Sequence, residues 1–224
     1  LKVNNIQALK LVDAVFADIL LARSVDDFST IVSQRPDLHV NRLDRKDYPE
    51  LRLSINSDEI ATLVADGLLT DEGEFPPRIS ARTLSPLEKL LYSVAWKNGD
   101  LPKVTHIVEG VRGVHADTAR KNGPGQVFHQ FGRHLADKRE PIIDQHVLRA
   151  FLLWRADRND EKKMDSIRRI TLLNNQVSAI NDYKSWLKTE CFDPQLKESA
   201  DYLMHIDSTL FALGKTIKLG KCAG

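Results

Sequence analysis

Asn122-Gly123-Pro124-Gly125, followed by Glu140-Pro141-Ile142-Ile143-Asp144-Gln145-His146-Val147-Leu148-Arg149, is the pair of stretches on which the fold turns. The first is a tight turn. From it, residues Gln126 to Ala136 read as a helix with Val127, Phe128, Phe131 and Leu135 turned inward. Such a helix is about 16 Å long, and the connecting residues 137–143 can stretch about 23 Å. The chain can therefore return and set Asp144 near the end of the turn. Asp is a favoured N-cap, because its carboxylate accepts from the free N–H groups of a first turn, so Asp144 is expected to start a helix running to about Arg155.

Outward from this region nearly every periodic segment is helical, and no convincing strand pair is found. Residues 3–21 carry Ile6, Leu9, Val12, Val15, Phe16, Ile19 and Leu20 at three-and-four spacing, which gives an amphipathic helix. Ser24-Val25-Asp26-Asp27 and Asn56-Ser57-Asp58-Glu59 start further helices, the second ending near Gly67. Residues 35–54, with Pro36 and Pro49, read as a surface connection. Gly73 and Pro76-Pro77 mark a boundary within 70–84. Ser85-Pro86-Leu87-Glu88 then forms a capping box with Pro at the first helical position. Leu87, Leu90, Leu91 and Val94 make one apolar stripe behind it, and Asn98-Gly99-Asp100 breaks that helix before another begins near Pro102. A helical stretch within 160–189 is expected to break once. After Asp193-Pro194, Leu203, Ile206, Leu210 and Leu213 keep helical spacing up to Gly214. The fold class is all-α: residues 1–80 form an N-terminal helical region that packs in part with the C-terminus, and residues 81–224 form the rest.

Composition narrows the chemistry. With 224 residues, 42% of them hydrophobic, the chain can bury a core as one large domain or two lobes. Its formal net charge of +1 conceals an asymmetry. Residues 1–80 hold 9 Lys and Arg against 14 Asp and Glu, and residues 81–224 hold 23 against 17. The net of +6 in the second part is a modest footprint, compatible with phosphate contacts. Cys191 and Cys222 are too few for an iron–sulfur cluster or an all-cysteine zinc site, and the seven histidines are not spaced as metal ligands. No cofactor and no metal are expected. No apolar run approaches the ~20 residues of a membrane span and the start lacks a signal pattern. A reducing, cytoplasmic compartment with free thiols and no membrane contact is the expectation.

The two opening stretches together resemble the core of the helix-hairpin-helix DNA glycosylase superfamily, the endonuclease III-like fold. There a Gly-x-Gly hairpin precedes an apolar-apolar-Asp-x-His-apolar-x-Arg signature by about a score of residues. Here Gly125 and Asp144 are 19 positions apart, and Ile142 to Arg149 fills the signature. Ile206 to Lys215 is similar to the family's last helix, which ends in Gly-Arg or Gly-Lys, so the likeness covers about 85–218. It implies two helical lobes around a hairpin at 121–126, with Asp144 facing a cleft between the lobes near Gly123 and Gly125.

The resemblance also implies roles. Asp144 is the expected catalytic carboxylate: held beside the sugar, it stabilises the positive charge that develops as the base leaves and orients the attacking water. Gly123 and Gly125 bring backbone N–H groups to a DNA phosphate, with Lys121, Arg133, Lys97 and Lys103 as further DNA contacts. The family's usual Leu-Pro ahead of the glycines is here Lys121-Asn122, and Pro124 lacks an N–H. Trp96, Tyr92 and Phe128 are candidates for a base pocket or for filling the vacated stack. Most aromatics here, Phe131, Phe151 and Trp154 among them, fall on core-facing positions. His146 and Arg149 support the motif. Where bifunctional relatives carry the lysine that forms a Schiff base, this chain has Val127, which is no nucleophile. Two readings follow: a monofunctional glycosylase of double-stranded DNA, or a catalytically inactive DNA-binding or protein-interaction member of the same fold.

Overall fold

In the computed structural model, residues 4–49, 51–77, 79, 84–115, 122–189 and 191–219 are described. Among them every regular element is a helix, and there is no strand. The helices are α1 (Asn5–Leu21), α2 (Val25–Ser33), α3 (Pro36–His39), α4 (Ser57–Ala65), α5 (Pro86–Asn98), α6 (Leu101–Arg112), α7 (Gln126–Ala136), α8 (Gln145–Trp154), α9 (Glu161–Arg168), α10 (Val177–Leu187), α11 (Pro194–Glu198) and α12 (Tyr202–Thr216). The fold is all-α. None of these helices is long and apolar enough to cross a membrane.

The chain divides into two compact units. The first joins residues 1–51 to 139–224, and the second is 52–138. The N-terminal helices thus pack with the C-terminal ones, while the Gly73 and Pro76-Pro77 stretch lies inside the second unit rather than at a boundary near residue 80. The residues placed as a connection at 35–54 include the short helix α3, which buries Leu38.

In the first unit α12 is the axis, packed by α8 on one side and by α2 and α3 on another. The spacing of Leu203, Ile206, Leu210 and Leu213 buries all four on one face. At Gly214 the backbones of α12 and α8 touch: a Cβ there would stand 1.9 Å from the His146 carbonyl oxygen. Phe16 of α1 stacks on Trp154 at 4.4 Å between centroids, and Phe151, Tyr183, Trp186 and Phe192 continue the aromatic cluster. Phe151 and Trp154 are accordingly core residues of this unit.

The second unit is built on α6 and α7. They meet through Gly110 and Gly132, where an added Cβ would lie 2.1 Å from a carbonyl oxygen of the facing helix, His129 O and Ile107 O respectively. Val108 and Val111 of α6 close a core with Ile60 and Leu69. The α5 capping box forms, with Ser85 N donating to Glu88 Oε2 at 2.6 Å and Glu88 N to Ser85 Oγ at 3.3 Å. Its stripe does not face the core, however. Leu87, Leu90, Leu91 and Val94 are all about 60% exposed or more. Helical spacing dictates that apolar residues share a face and leaves open what that face meets.

Because Gly132 sits against backbone, which cannot rotate away as a side chain would, Gly132→Ala is expected to force α6 and α7 apart. A loss of about 1–3 kcal/mol in stability, read as a lower denaturation midpoint in urea, is the expected result.

Candidate functional site

Asp144 is the N-cap of α8. Its backbone is extended (φ −121°, ψ −179°), and Oδ1 accepts from His146 N at 2.7 Å and from Val147 N at 2.8 Å. The sequence produces this locally. Pro141 resists helix before the cap, and Ile143, almost fully buried, anchors the chain beside it. The carboxyl is half-buried. Desolvation pushes its pKa above the ordinary carboxylate value, against the two N–H bonds and the charge of Arg149, which act downward.

Arg149, one turn along α8, is completely buried. Its Nη1 donates to Gly214 O at 2.8 Å and lies 2.7 Å from His146 Nδ1, while Nη2 donates to Ile170 O. Burial lowers its pKa to about 10, offset in part by Asp144, so it stays charged at neutral pH. It ties α8 to α12 and to the chain after α9, and its full burial removes it from any phosphate contact. His146 accepts from Arg149 at Nδ1, which requires the lone pair there. Burial first, then the Arg149 charge, depress its pKa to about 4. The imidazole, edge-on to Phe211 at 4.9 Å, is neutral at neutral pH and supports the motif rather than carrying a proton.

A second acid sits beside this group. Asp207 of α12 is buried, its Oδ2 accepting from Ile142 N at 2.6 Å and its Oδ1 from the Tyr183 hydroxyl at 2.6 Å. Desolvation raises its pKa to about 8 despite those bonds, and the Asp144 charge adds to the rise. Tyr183 is pushed well above the usual phenol value, by burial and then by Asp207. Sequence reasoning missed both residues. The signal was there for Asp207: an acid four residues after Leu203 and three before Leu210 stands on the buried stripe of α12.

The other expected site residues lie in the second unit. Gly125 caps α7 in the left-handed region (φ +74°), and a Cβ there would run into the His106 ring, 1.9 Å from Cδ2, so only glycine fits. Gly123 has open space around its Cα, and its carbonyl accepts from Gln126 Nε2 at 3.1 Å. Arg133 donates to Gly113 O at 2.6 Å and Val114 O at 3.1 Å, closing the end of α6. Lys103 pairs with Asp100 and lies 5.0 Å above the Phe128 ring. Tyr92 is half-buried, edge-on to Phe75, whereas Trp96 and Lys97 are exposed at the end of α5. Val127 is half-buried, and Lys121 lies outside the described residues. The structure thus brings Asp144, His146 and Arg149 together in one unit, and the hairpin glycines with Phe128, Arg133 and Lys103 in the other.

A cavity of about 280 Å³ including its mouth opens beside the motif, walled by Arg139, Glu140, Pro141 and Lys184, with Glu140 and Lys184 paired at 2.6 Å; Asp144 does not line it. Among the described residues no group of three or more His, Cys, Asp or Glu is placed to hold a metal ion. Comparison with family models, with curated proteins and with solved structures gives no match.

The two shifted groups give opposite pH dependences. His146, with its pKa below the unfolded value of 6.5, contributes stability that is complete above pH 6.5 and lost as pH falls towards 4. Asp207, with its pKa raised from 3.8, contributes stability that is complete below about pH 4 and lost as pH rises towards 8. Asp207 acts between pH 6.5 and 8, and the raised Asp144 acts in the same direction. Thermal unfolding should show the protein losing up to about 2 kcal/mol, roughly 5 °C, across that window through Asp207, and Asp207→Asn should remove that part of the loss.

Proposed function

We propose that this chain is a monofunctional DNA base-excision glycosylase-like protein, with Asp144 as the carboxylate that works at the sugar. The observation that carries this reading is the placement of Asp144: a half-buried carboxyl, its cap made through Oδ1, fixed at the head of α8. N-glycosidic hydrolysis needs such a group. As the base departs, positive charge grows on the sugar carbon, and a preorganised carboxylate in a poorly solvated place stabilises it more than water does. The same group orients a water for attack.

In this reading α6, the turn at 122–125 and α7 act as the helix-hairpin-helix element of a two-lobed fold. The left-handed Gly125 lets the chain turn sharply into the α7 N-terminus, whose positive dipole end suits a phosphate. The net of +6 over residues 81–224 supports a nucleic-acid partner. Val127 at the lyase position supports hydrolysis without strand cleavage.

A specific observation favours the inactive DNA-binding reading as runner-up. Arg133 spends its guanidinium on the end of α6 and Lys103 is paired with Asp100, which leaves fewer cations for phosphate.

Oligonucleotides with a panel of damaged bases, incubated with the protein and scored with and without alkali, separate the readings. Free base with an intact abasic strand is expected, and Asp144→Asn should lower the rate about 100-fold or more while the amide oxygen keeps the cap. Salt-sensitive binding without base release from any substrate would replace the leading reading with the second, and strand cleavage without alkali would show a nucleophile other than Val127.

A further inference from the structure

A buried carboxylate is costly unless something requires it. Asp207 stands on the apolar face of α12, caps no helix, and is no part of the signature around Asp144. Its two bonds join three segments distant in sequence: α12, the Tyr183 turn of α10, and the chain at Ile142, two residues ahead of Asp144. Pro141 fixes the backbone on one side of Ile142, and Ile143 is almost fully buried on the other. Between these two residues, the Ile142 N–H is held by a directional bond to Asp207.

We infer that Asp207, backed by Tyr183, is a positioning residue for Asp144: it clamps the Ile142 N–H so that the chain enters α8 with the Asp144 carboxylate in a single orientation. The inference rests on the glycosylase reading for its catalytic consequence and on geometry alone for the clamp. Ile142 N donates to Oδ2 and the Tyr183 hydroxyl donates to Oδ1, so both oxygens of Asp207 are engaged. Burial raises the Asp207 pKa above the ordinary carboxylate value, with the Asp144 charge a smaller contribution in the same direction. Tyr183 on α10 and Asp144 at the head of α8 are the titratable groups acting on Asp207. His146 and Arg149, further along α8, act on Asp144 and on each other.

The test uses the full chain with Asp207→Ala, Asp207→Asn and Asp144→Asn, followed by carbon-13 carboxyl and amide NMR titration and by base release from damaged oligonucleotides. Asp207→Asn is an isostere without the charge whose oxygen still accepts from Ile142 N. It should leave the Asp144 titration in place and recover most of the activity that Asp207→Ala loses. Asp207→Ala should shift the Ile142, His146 and Val147 amide resonances and lower kcat about 10-fold or more with KM little changed, since a small displacement of a reacting group is costly. Asp144→Asn should lower the Asp207 midpoint. An Asp207 that titrates in the ordinary carboxylate range, or Asp207→Ala amide resonances that match those of the parent, would overturn the inference. A parent protein that releases no base while every NMR result holds would remove the glycosylase reading and leave the clamp standing.

Discussion

The contact of α8 with α12 at Gly214 is the constraint from which the first unit is built. A side chain larger than hydrogen there would collide with the His146 carbonyl. Close approach carries Arg149 into the interior, where Gly214 O and Ile170 O take its donors, while its Nε has no partner. A charge buried that deeply is stabilised by the carbonyls aimed at it, by His146 Nδ1 and by Asp144, so the two helices and the chain after α9 hold together as one object. Arg168 repeats the device nearby, with Nε donating to Ile217 O at 2.8 Å and Nη1 reaching Asn5. Arg168 thus ties the start of α1 to the end of α12, and the packing of α1 on α8 and of α2 and α3 on α12 joins residues 1–51 to the C-terminal unit.

That architecture also decides the electrostatics around Asp144. Burial first, and then the Arg149 charge, keep His146 neutral, and Arg149 works against the desolvation of Asp144. Burial raises Asp144 and also raises Asp207, to about 8, where the Asp144 charge adds to the rise. Three ionisable side chains near the head of α8 are therefore shifted: Asp144 upward, Asp207 upward to about 8, and His146 downward to about 4. The arrangement follows from depth and partner alone.

What could be read from the sequence was whatever a few neighbouring residues determine. Ser85 with Glu88, Asn56 with Glu59, and Asp144 with the N–H groups of His146 and Val147 all close within one turn, and each cap forms. Three-and-four spacing located α1, α7, α8 and α12. Spacing says which residues share a face and nothing about its partner, so the α5 stripe could not be told from a core stripe, and it is exposed. Contacts across long separations were likewise hidden: Asp207 meets Ile142 across 65 positions, and Arg133 finds Gly113 across 20. A Pro-Pro pair and a glycine make a turn wherever they stand, which is why the stretch at 70–84 looked like a boundary and lies within a unit.

Asp144 is thus both a structural cap and the proposed reactive carboxylate, and the two roles do not compete. Capping consumes the lone pairs of Oδ1, leaves the net negative charge intact, and fixes the plane of the group relative to α8. A carboxylate free to rotate would have to be ordered at the moment of reaction, at a cost in rate that a cap removes beforehand. The two N–H donors and the Arg149 charge act against the desolvation that raises the carboxyl. An amide at this position keeps the cap and the orientation and loses only the charge. Folding and chemistry therefore separate at this one side chain, because the helix needs an oxygen there and the reaction needs an anion.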